Sequence, residues 1–360
     1  MNINNKNIIS IKELSKSRIG VLFYNKSLSI YNSNTFRKIN EIEIVINDSS
    51  IKNPNDKKII NFIELKNSDL VFWTSKNIFF YKLYDNKYII YQTINEPKHE
   101  TIDEDDLYEM FSYRHSYNNK YDYKINVICQ LKNGNLISCT SFGINIYTKE
   151  NDNYKLLSKH KIDVEVKNAI EIELNKLVLF QRNYECGGHC SQTYYCNFTY
   201  SLSIYDIEKD ILTNLNKFEE NVSLSNNNIS FFKNDKYLFV KNGEFKFDIY
   251  DINQNMKSIN QNNEIIEVNK IRTFFGFFRE KIYDAIKDEM NIIFLCYFSK
   301  DLFFAKDMNN EIKLYKFKDK SFELYDNFSL TKKEIYDMIK LKNNNLIMYS
   351  DNKIFVINNY

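Results

Sequence analysis

Side chains able to do chemistry crowd one short stretch, NYECGGHCSQTYYCNFT, where Cys186, His189, Cys190 and Cys196 fall within eleven residues. Thiolate sulfur and imidazole nitrogen are the ligands zinc prefers, and three Cys with one His fill a tetrahedral shell. The spacing departs from the usual plan, because His189 and Cys190 are adjacent, whereas paired ligands usually stand two to four residues apart so that the backbone can turn around the ion. The residues therefore leave three states open: a zinc site, a disulfide within the hairpin, or unpaired thiols. The Gly187-Gly188 pair supplies a tight turn in each of them.

Catalysis by a nucleophile needs a base and an orienting group held beside it. Histidine occurs only at 99, 115, 160 and 189, none within a GxSxG elbow or an HExxH pair. No glycine-rich loop is available to cradle phosphate, and carboxylates are abundant but scattered. Two further stretches have the composition of docking elements. In ETIDEDDLYEMF, Thr101 can cap a short helix with acidic residues in its first turn, and Leu107, Met110 and Phe111 would then share one face. That face either tucks onto the body of the protein or meets a partner. In RTFFGFFREK, Phe274, Phe275, Phe277 and Phe278 surround Gly276. Those rings either fill a gap between neighbouring sheets or form an exposed patch for docking or for dipping into a membrane.

The elements that must position these residues are strands. Alanine is scarce while Ile, Val, Tyr and Phe are plentiful, which favours β structure. Between Ile125 and Ile162, four short alternating runs (125 to 131, 135 to 141, 144 to 148, 154 to 162) are separated by turn residues, the pattern of one antiparallel sheet. The same order recurs at 8 to 31, 59 to 81 and 335 to 357, and more weakly at 169 to 206, 229 to 251 and 292 to 315. The third run of each unit closes on an apolar-Tyr signature: Tyr31, Tyr81, Tyr147, Tyr205, Tyr250 and Tyr315, with Val356-Ile357 in the last. Each tyrosine is expected to pack between sheets. With few Gly and Pro, the turns must rely on Asn, Asp, Ser and Lys.

Four-stranded units of about forty residues with a bulky residue ending the third strand are what propeller blades look like in sequence. The expectation is an all-β chain, a β-propeller of about seven four-stranded antiparallel blades in a single domain over 1–360, with three loop insertions at 96–124, 183–199 and 260–282. The last unit shows three strands, so its fourth is Met1 to Lys6 or absent. LSIYDIE (202 to 208) and FDIYDIN (247 to 253) stand where WD-repeat proteins carry Trp-Asp, and LKNGNLIS also resembles that family. The chain thus resembles a degenerate WD-repeat propeller, with Tyr-Asp in place of Trp-Asp. No Gly-His dipeptide opens any unit, and the only tryptophan, Trp73, lies on a second strand.

A formal charge of +2 with both signs interspersed implies no field for nucleic acid. The N-terminal residues lack the plan of a signal peptide, and no stretch approaches the length of a membrane span. The sequence therefore reads as a cytoplasmic, non-catalytic scaffold, monomeric or a subunit of a larger complex, that binds a protein or peptide on one face. It needs no cofactor unless the cysteine-rich loop takes zinc. The alternative from another class is a propeller enzyme, hydrolase or lyase, with a metal in a central channel.

Overall fold

The computed structural model describes residues 7–44, 57–85, 87–97, 124–162, 164–186, 196–218, 231–233, 237–241, 247–251, 257–258, 292–299, 302–307, 311–318, 321–328, 337–350 and 353–357. The chain divides into two compact units, Ile9–Asn32 with Arg37–Glu220, and Met1–Ile8 with Ser33–Phe36 and Asn221–Tyr360. All the described regular structure is antiparallel β, arranged as propeller-type blades.

The first unit holds four four-stranded sheets. They are β1 (Ile8–Leu14), β2 (Arg18–Phe23), β3 (Ser27–Asn32) and β4 (Lys38–Glu43); β5 (Asn61–Glu64), β6 (Leu70–Trp73), β7 (Asn77–Tyr84) and β8 (Lys87–Asn95); β9 (Ile125–Gln130), β10 (Leu136–Thr140), β11 (Gly143–Glu150) and β12 (Asn153–Lys161); and β13 (Glu165–Glu173), β14 (Lys176–Cys186), β15 (Cys196–Asp206) and β16 (Ile211–Phe218). Every strand pairs with its chain neighbour, so each sheet is a simple meander. The second unit carries β17 (Phe231–Lys233), β18 (Tyr237–Lys241), β19 (Phe247–Asp251) and β20 (Lys257–Ser258) in one sheet. A second sheet comprises β21 (Ile292–Ser299), β22 (Leu302–Asp307), β23 (Ile312–Lys318) and β24 (Ser321–Phe328), and β25 (Asp337–Lys340), β26 (Leu346–Ser350) and β27 (Lys353–Ile357) make a three-stranded one.

The sheets are apolar on both faces of their middle strands. β6, β10 and the first five residues of β7 and β11 are wholly buried, while the fourth strands β8 and β12 are largely exposed. Such a sheet is covered only by another sheet on each side. Leu22, Leu28 and Ile30 meet Phe62, Phe72 and Tyr81 between the first and second sheets. Trp73, Ile78 and Phe80 meet Ile128, Leu136 and Tyr147 between the second and third. Ile137, Cys139 and Ile144 meet Val166, Leu179 and Tyr205 between the third and fourth. Tyr31, Tyr81, Tyr147, Tyr205 and Tyr315 are all buried, as the repeat signature predicts; the side chain of Tyr250 lies outside the described residues. Gly20 is required by this packing, since a Cβ there would stand 2.8 Å from Cζ of Phe62.

The turn between first and second strands recurs in detail. In LKNSD, LKNGN and LKNNN, the leading leucine (Leu65, Leu131, Leu341) bonds the fifth residue from its N–H at 2.8 Å and accepts from the N–H of the fourth. The Asn at the third position accepts from the N–H of the fifth, at 3.3, 3.0 and 3.1 Å. The fourth residue is left-handed each time: Ser68 (φ 69), Gly134 (φ 94) and Asn344 (φ 64). Asn and Ser tolerate that backbone less readily than Gly, and the Asn side chain at the third position ties the turn locally in each case.

These same turns fasten each sheet to the next. The residue after the leading leucine donates its backbone N–H to a side chain at the end of the following sheet's first strand. Ser15 donates to Glu64, Lys66 to Gln130 (2.8 Å) and Lys132 to Glu171 (2.6 Å). Two of the same lysines also reach across with their ammonium groups, Lys66 to the carbonyls of Leu131 and Lys132 (3.2 and 2.6 Å) and Lys132 to that of Ile172 (3.1 Å). Arg18 completes the first clasp through Glu64 at 2.6 Å and Tyr88 at 3.1 Å. One end of the four sheets is therefore stitched sheet to sheet in sequence order.

Candidate functional site

In a meander, the turns after first and third strands lie at one end of the sheet, and the turns after second and fourth strands lie at the other. The clasps occupy the first end. All three stretches that interrupt the repeat leave from the second end of their own sheets: 96–124 follows the fourth strand β8, 183–199 joins the second and third strands β14 and β15, and 260–282 follows the fourth strand β20.

At that second end, β13 opens with a buried carboxylate surrounded by cations. Glu165, 2% exposed, pairs with Arg182 (2.5 Å) and Lys167 (2.7 Å), and Lys124 stands 3.7 Å away. Arg182 is delivered by β14, paired directly with Glu165, Lys167 by β13 two residues on, and Lys124 by the residue before β9. Burial lowers the Lys167 ammonium from its ordinary value, and Glu165 partly restores it. Among the three cations, Lys124 keeps 41% of its side chain exposed.

Glu96, the first residue past β8, is buried in the neighbouring sheet. Its carboxylate accepts from Ser138 Oγ, from Asn145 Nδ2 (2.6 Å) and from Tyr147 OH (2.7 Å). Burial raises its pKa against the pull of those three donors. The carboxylate anchors the start of the 96–124 stretch to β10 and β11.

A third cluster links β12 to the turn before β16. Ser158 Oγ lies 2.8 Å from His160 Nε2, and His160 Nδ1 lies 2.9 Å from Asp210 Oδ1. Tyr205 OH donates to the same oxygen at 2.5 Å, and its ring packs edge-on against the imidazole at 5.7 Å. The shared tyrosine makes this a tether between two sheets, and its hydroxyl and His160 hold Asp210 below its ordinary pKa.

The cysteine-rich hairpin is longer than an ordinary blade turn. β14 and β15 pair through eleven registered positions, the last of which sets Cys186 opposite Cys196. The side chains of both, and the whole of His189 and Cys190, lie outside the described residues. So do Leu107, Met110 and Phe111, and Phe274, Phe275, Phe277 and Phe278. Among the described residues, no three His, Cys, Asp or Glu side chains gather at metal-ligand distance, and no helix is long and apolar enough to cross a membrane.

Sequence reasoning missed the clusters that the structure does build. Glu165 and Arg182 are seventeen residues apart and meet because β13 and β14 are paired in that register. The one usable signal for Glu96 was a carboxylate where an apolar run ends and a repeat boundary falls.

No family model and no curated protein matches the chain. Solved structures do share its fold. The computationally designed Ika8 protein is 11% identical, with 98% of this chain and 96% of that one covered and a TM-score of 0.54. A chain of the mitotic checkpoint complex is 8% identical, with 95% and 86% covered and a TM-score of 0.57. At these identities the likeness is one of architecture, and it places the chain among β-propeller-like proteins.

Proposed function

We propose that the protein is a non-catalytic interaction scaffold, a single ring of seven blades of WD-repeat type over 1–360, that binds a protein or peptide partner through the end of the sheets bearing the insertions. The observation that supports this most is the polarity of the sheets in the first unit: one end is clasped turn to turn, and the long departures at 96–124 and 183–199 leave from the other. Loops projecting from a stiff frame lose little freedom on association, so a few buried anchors suffice for affinity. Lys124, exposed beside the Glu165 cluster, offers a cation to an acidic side chain of the partner. Membership of a larger assembly in the cytoplasm is part of the same reading, since one of the structural neighbours is a chain of a multiprotein complex.

The test is affinity capture from the native cell with the full chain, followed by mass spectrometry. Wild type is compared with Lys124→Glu/Lys167→Glu at the insertion end and with Lys209→Glu in a turn at the clasped end. Reproducible partners lost from the first variant and kept by the second support the reading. No protein partner, or equal loss from both, would overturn it.

A further inference from the structure

One of the three recurrent turns carries a peptide bond with chemistry of its own. Asn133 is followed by Gly134, whereas its counterparts Asn67 and Asn343 are followed by Ser68 and Asn344. Glycine suits the left-handed backbone there, at φ 94, and it also leaves the amide nitrogen unshielded by a Cβ. That nitrogen can attack the side-chain carbonyl carbon of the preceding asparagine. The new C–N bond closes a five-membered succinimide, Gly134 gives up its amide proton, and the Asn133 side-chain nitrogen leaves as ammonia. Water then opens the ring, at one carbonyl to aspartate and at the other to isoaspartate. Asn133 is exposed and Gly134 half-buried, so water reaches the bond. The other Asn-Gly pair of the sequence, Asn242–Gly243, lies outside the described residues.

Hydrogen bonds restrain the reaction. Gly134 N–H donates to the Leu131 carbonyl at 3.0 Å, which ties up the nucleophile. Asn133 Oδ1 accepts from the Asn135 N–H and Asn133 Nδ2 donates to Asn175 Oδ1, both at 3.0 Å, so the amide to be attacked is held as well. Asn175 lies in the turn between β13 and β14 of the next sheet. Its N–H donates at 3.3 Å to Glu171, the carboxylate that also receives the Lys132 N–H of the clasp. We propose that Asn133–Gly134 is a self-modification site gated by the clasp between the third and fourth sheets, unreactive while the two turns are joined and converted to aspartate or isoaspartate when they part. Asn175 Nδ2 donates to Glu208 Oε1 at 2.7 Å, which fixes Asn175 Oδ1 toward Asn133. An aspartate at 133 faces that oxygen without a proton to share, and an isoaspartate lengthens a turn whose span is set by the 2.8 Å Leu131–Asn135 bond. Either product loses the link to Asn175, so the clasp that re-forms lacks one of its bonds.

The full chain is incubated at pH 8, folded and in urea, beside Gly134→Ser, which restores the Asn-Ser order of the turn at Asn67, and Asn175→Ala, which removes the acceptor of the Asn133 amide. Peptide mass spectrometry reads conversion of amide to acid at Asn67, Asn133 and Asn343, and chromatography separates the isoaspartyl peptide. In urea, Asn133 should convert much faster than Asn67 and Asn343, and Gly134→Ser should bring residue 133 down to their rate. In the folded chain, conversion at Asn133 should be slower than in urea by about tenfold or more, the protection that an opening free energy of about 1.4 kcal/mol confers. Asn175→Ala should recover several-fold of that loss, and Asn133→Asp, the product made directly, should lower the urea midpoint of unfolding. If Asn175→Ala fails to fold, the folded and unfolded rates of wild type decide. Equal rates in the two states, or a folded rate unchanged in a folded Asn175→Ala, overturns the proposal.

Discussion

Glu96 offers the sharpest test of how the repeat is held together, because one carboxylate serves three donors inside a neighbouring sheet. Glu96→Ala takes the carboxylate away from Ser138 Oγ, Asn145 Nδ2 and Tyr147 OH, leaves the Asn145 amide a long contact of 3.4 Å to the Pro97 carbonyl, and does so where all three residues are essentially inaccessible to water. A stranded buried donor costs about 1–3 kcal/mol, and hydroxyls can rotate toward other acceptors while the amide cannot. The sum comes to about 2–4 kcal/mol. Glu96→Gln keeps one acceptor oxygen, and its amide can donate to Tyr147 if that hydroxyl turns, so about 1 kcal/mol is expected. The sign of the pH dependence follows from the raised pKa of Glu96. An acid whose pKa is higher folded than unfolded binds more protons in the native state, so stability is fully present below the unfolded value and falls as pH rises to the folded one. The gap between wild type and Glu96→Gln should therefore be widest at acidic pH and shrink or reverse toward pH 8. Urea unfolding followed by Trp73 emission reads this well, since Trp73 shares a core cluster with Tyr147. A cost for Glu96→Ala below about 1 kcal/mol, or a gap that widens with pH, would refute the account.

The clasps predict that Gln130→Ala, which removes the acceptor for the Lys66 N–H, lowers unfolding free energy by about 1 kcal/mol; a loss of only a few tenths in urea titration would mean that the contact contributes nothing. Gly134→Ala should cost about 1 kcal/mol through backbone strain alone, because φ is 94 there and no atom lies within 4 Å of the added Cβ. The converse change, Ser68→Gly at the equivalent turn position, should raise stability by about 0.5 kcal/mol in the same assay. The Cys129 thiol is pushed up to about 12 and that of Cys139 is also raised by burial, so both should stay unlabelled by a thiol-reactive disulfide reagent at pH 8 in the folded protein and react after unfolding, as read by peptide mass.

Much of the fold was legible because the signals that carry it are local. The runs predicted at 125 to 131, 135 to 141, 144 to 148 and 154 to 162 became β9 through β12 with ends shifted by at most two residues, since Asn, Gly and Asp at the joints leave few other places to turn. The lengthened hairpin after Arg182 was visible as surplus residues between two apolar runs, and β14 and β15 extend into it from both sides. The sites were not legible for the opposite reason. Lys12 and Trp73 are sixty-one residues apart, and the ammonium comes to 5.9 Å from the indole ring only because consecutive sheets pack face to face. Glu165 looks like any strand carboxylate until β14 brings Arg182 to it. The residues that stood out in sequence, cysteines and clustered phenylalanines, drew attention by composition, and composition does not determine which groups will share a space.

The clasp also shows where the repeat should be least secure. It requires an acceptor side chain just before the leading leucine or isoleucine, and Glu64, Gln130 and Glu171 meet that condition ahead of Leu65, Leu131 and Ile172. At Leu341 the preceding residue is Lys340, whose ammonium can only donate and so cannot take a backbone N–H from the sheet before it. Between the β21–β24 sheet and the β25–β27 sheet, Phe304, Ile312 and Leu314 pack against Leu346 and Met348. The same sheet has three strands where the others have four. Lys340→Glu, which places an acceptor at the position where the clasps of the first unit carry one, is the substitution that the pattern itself points to.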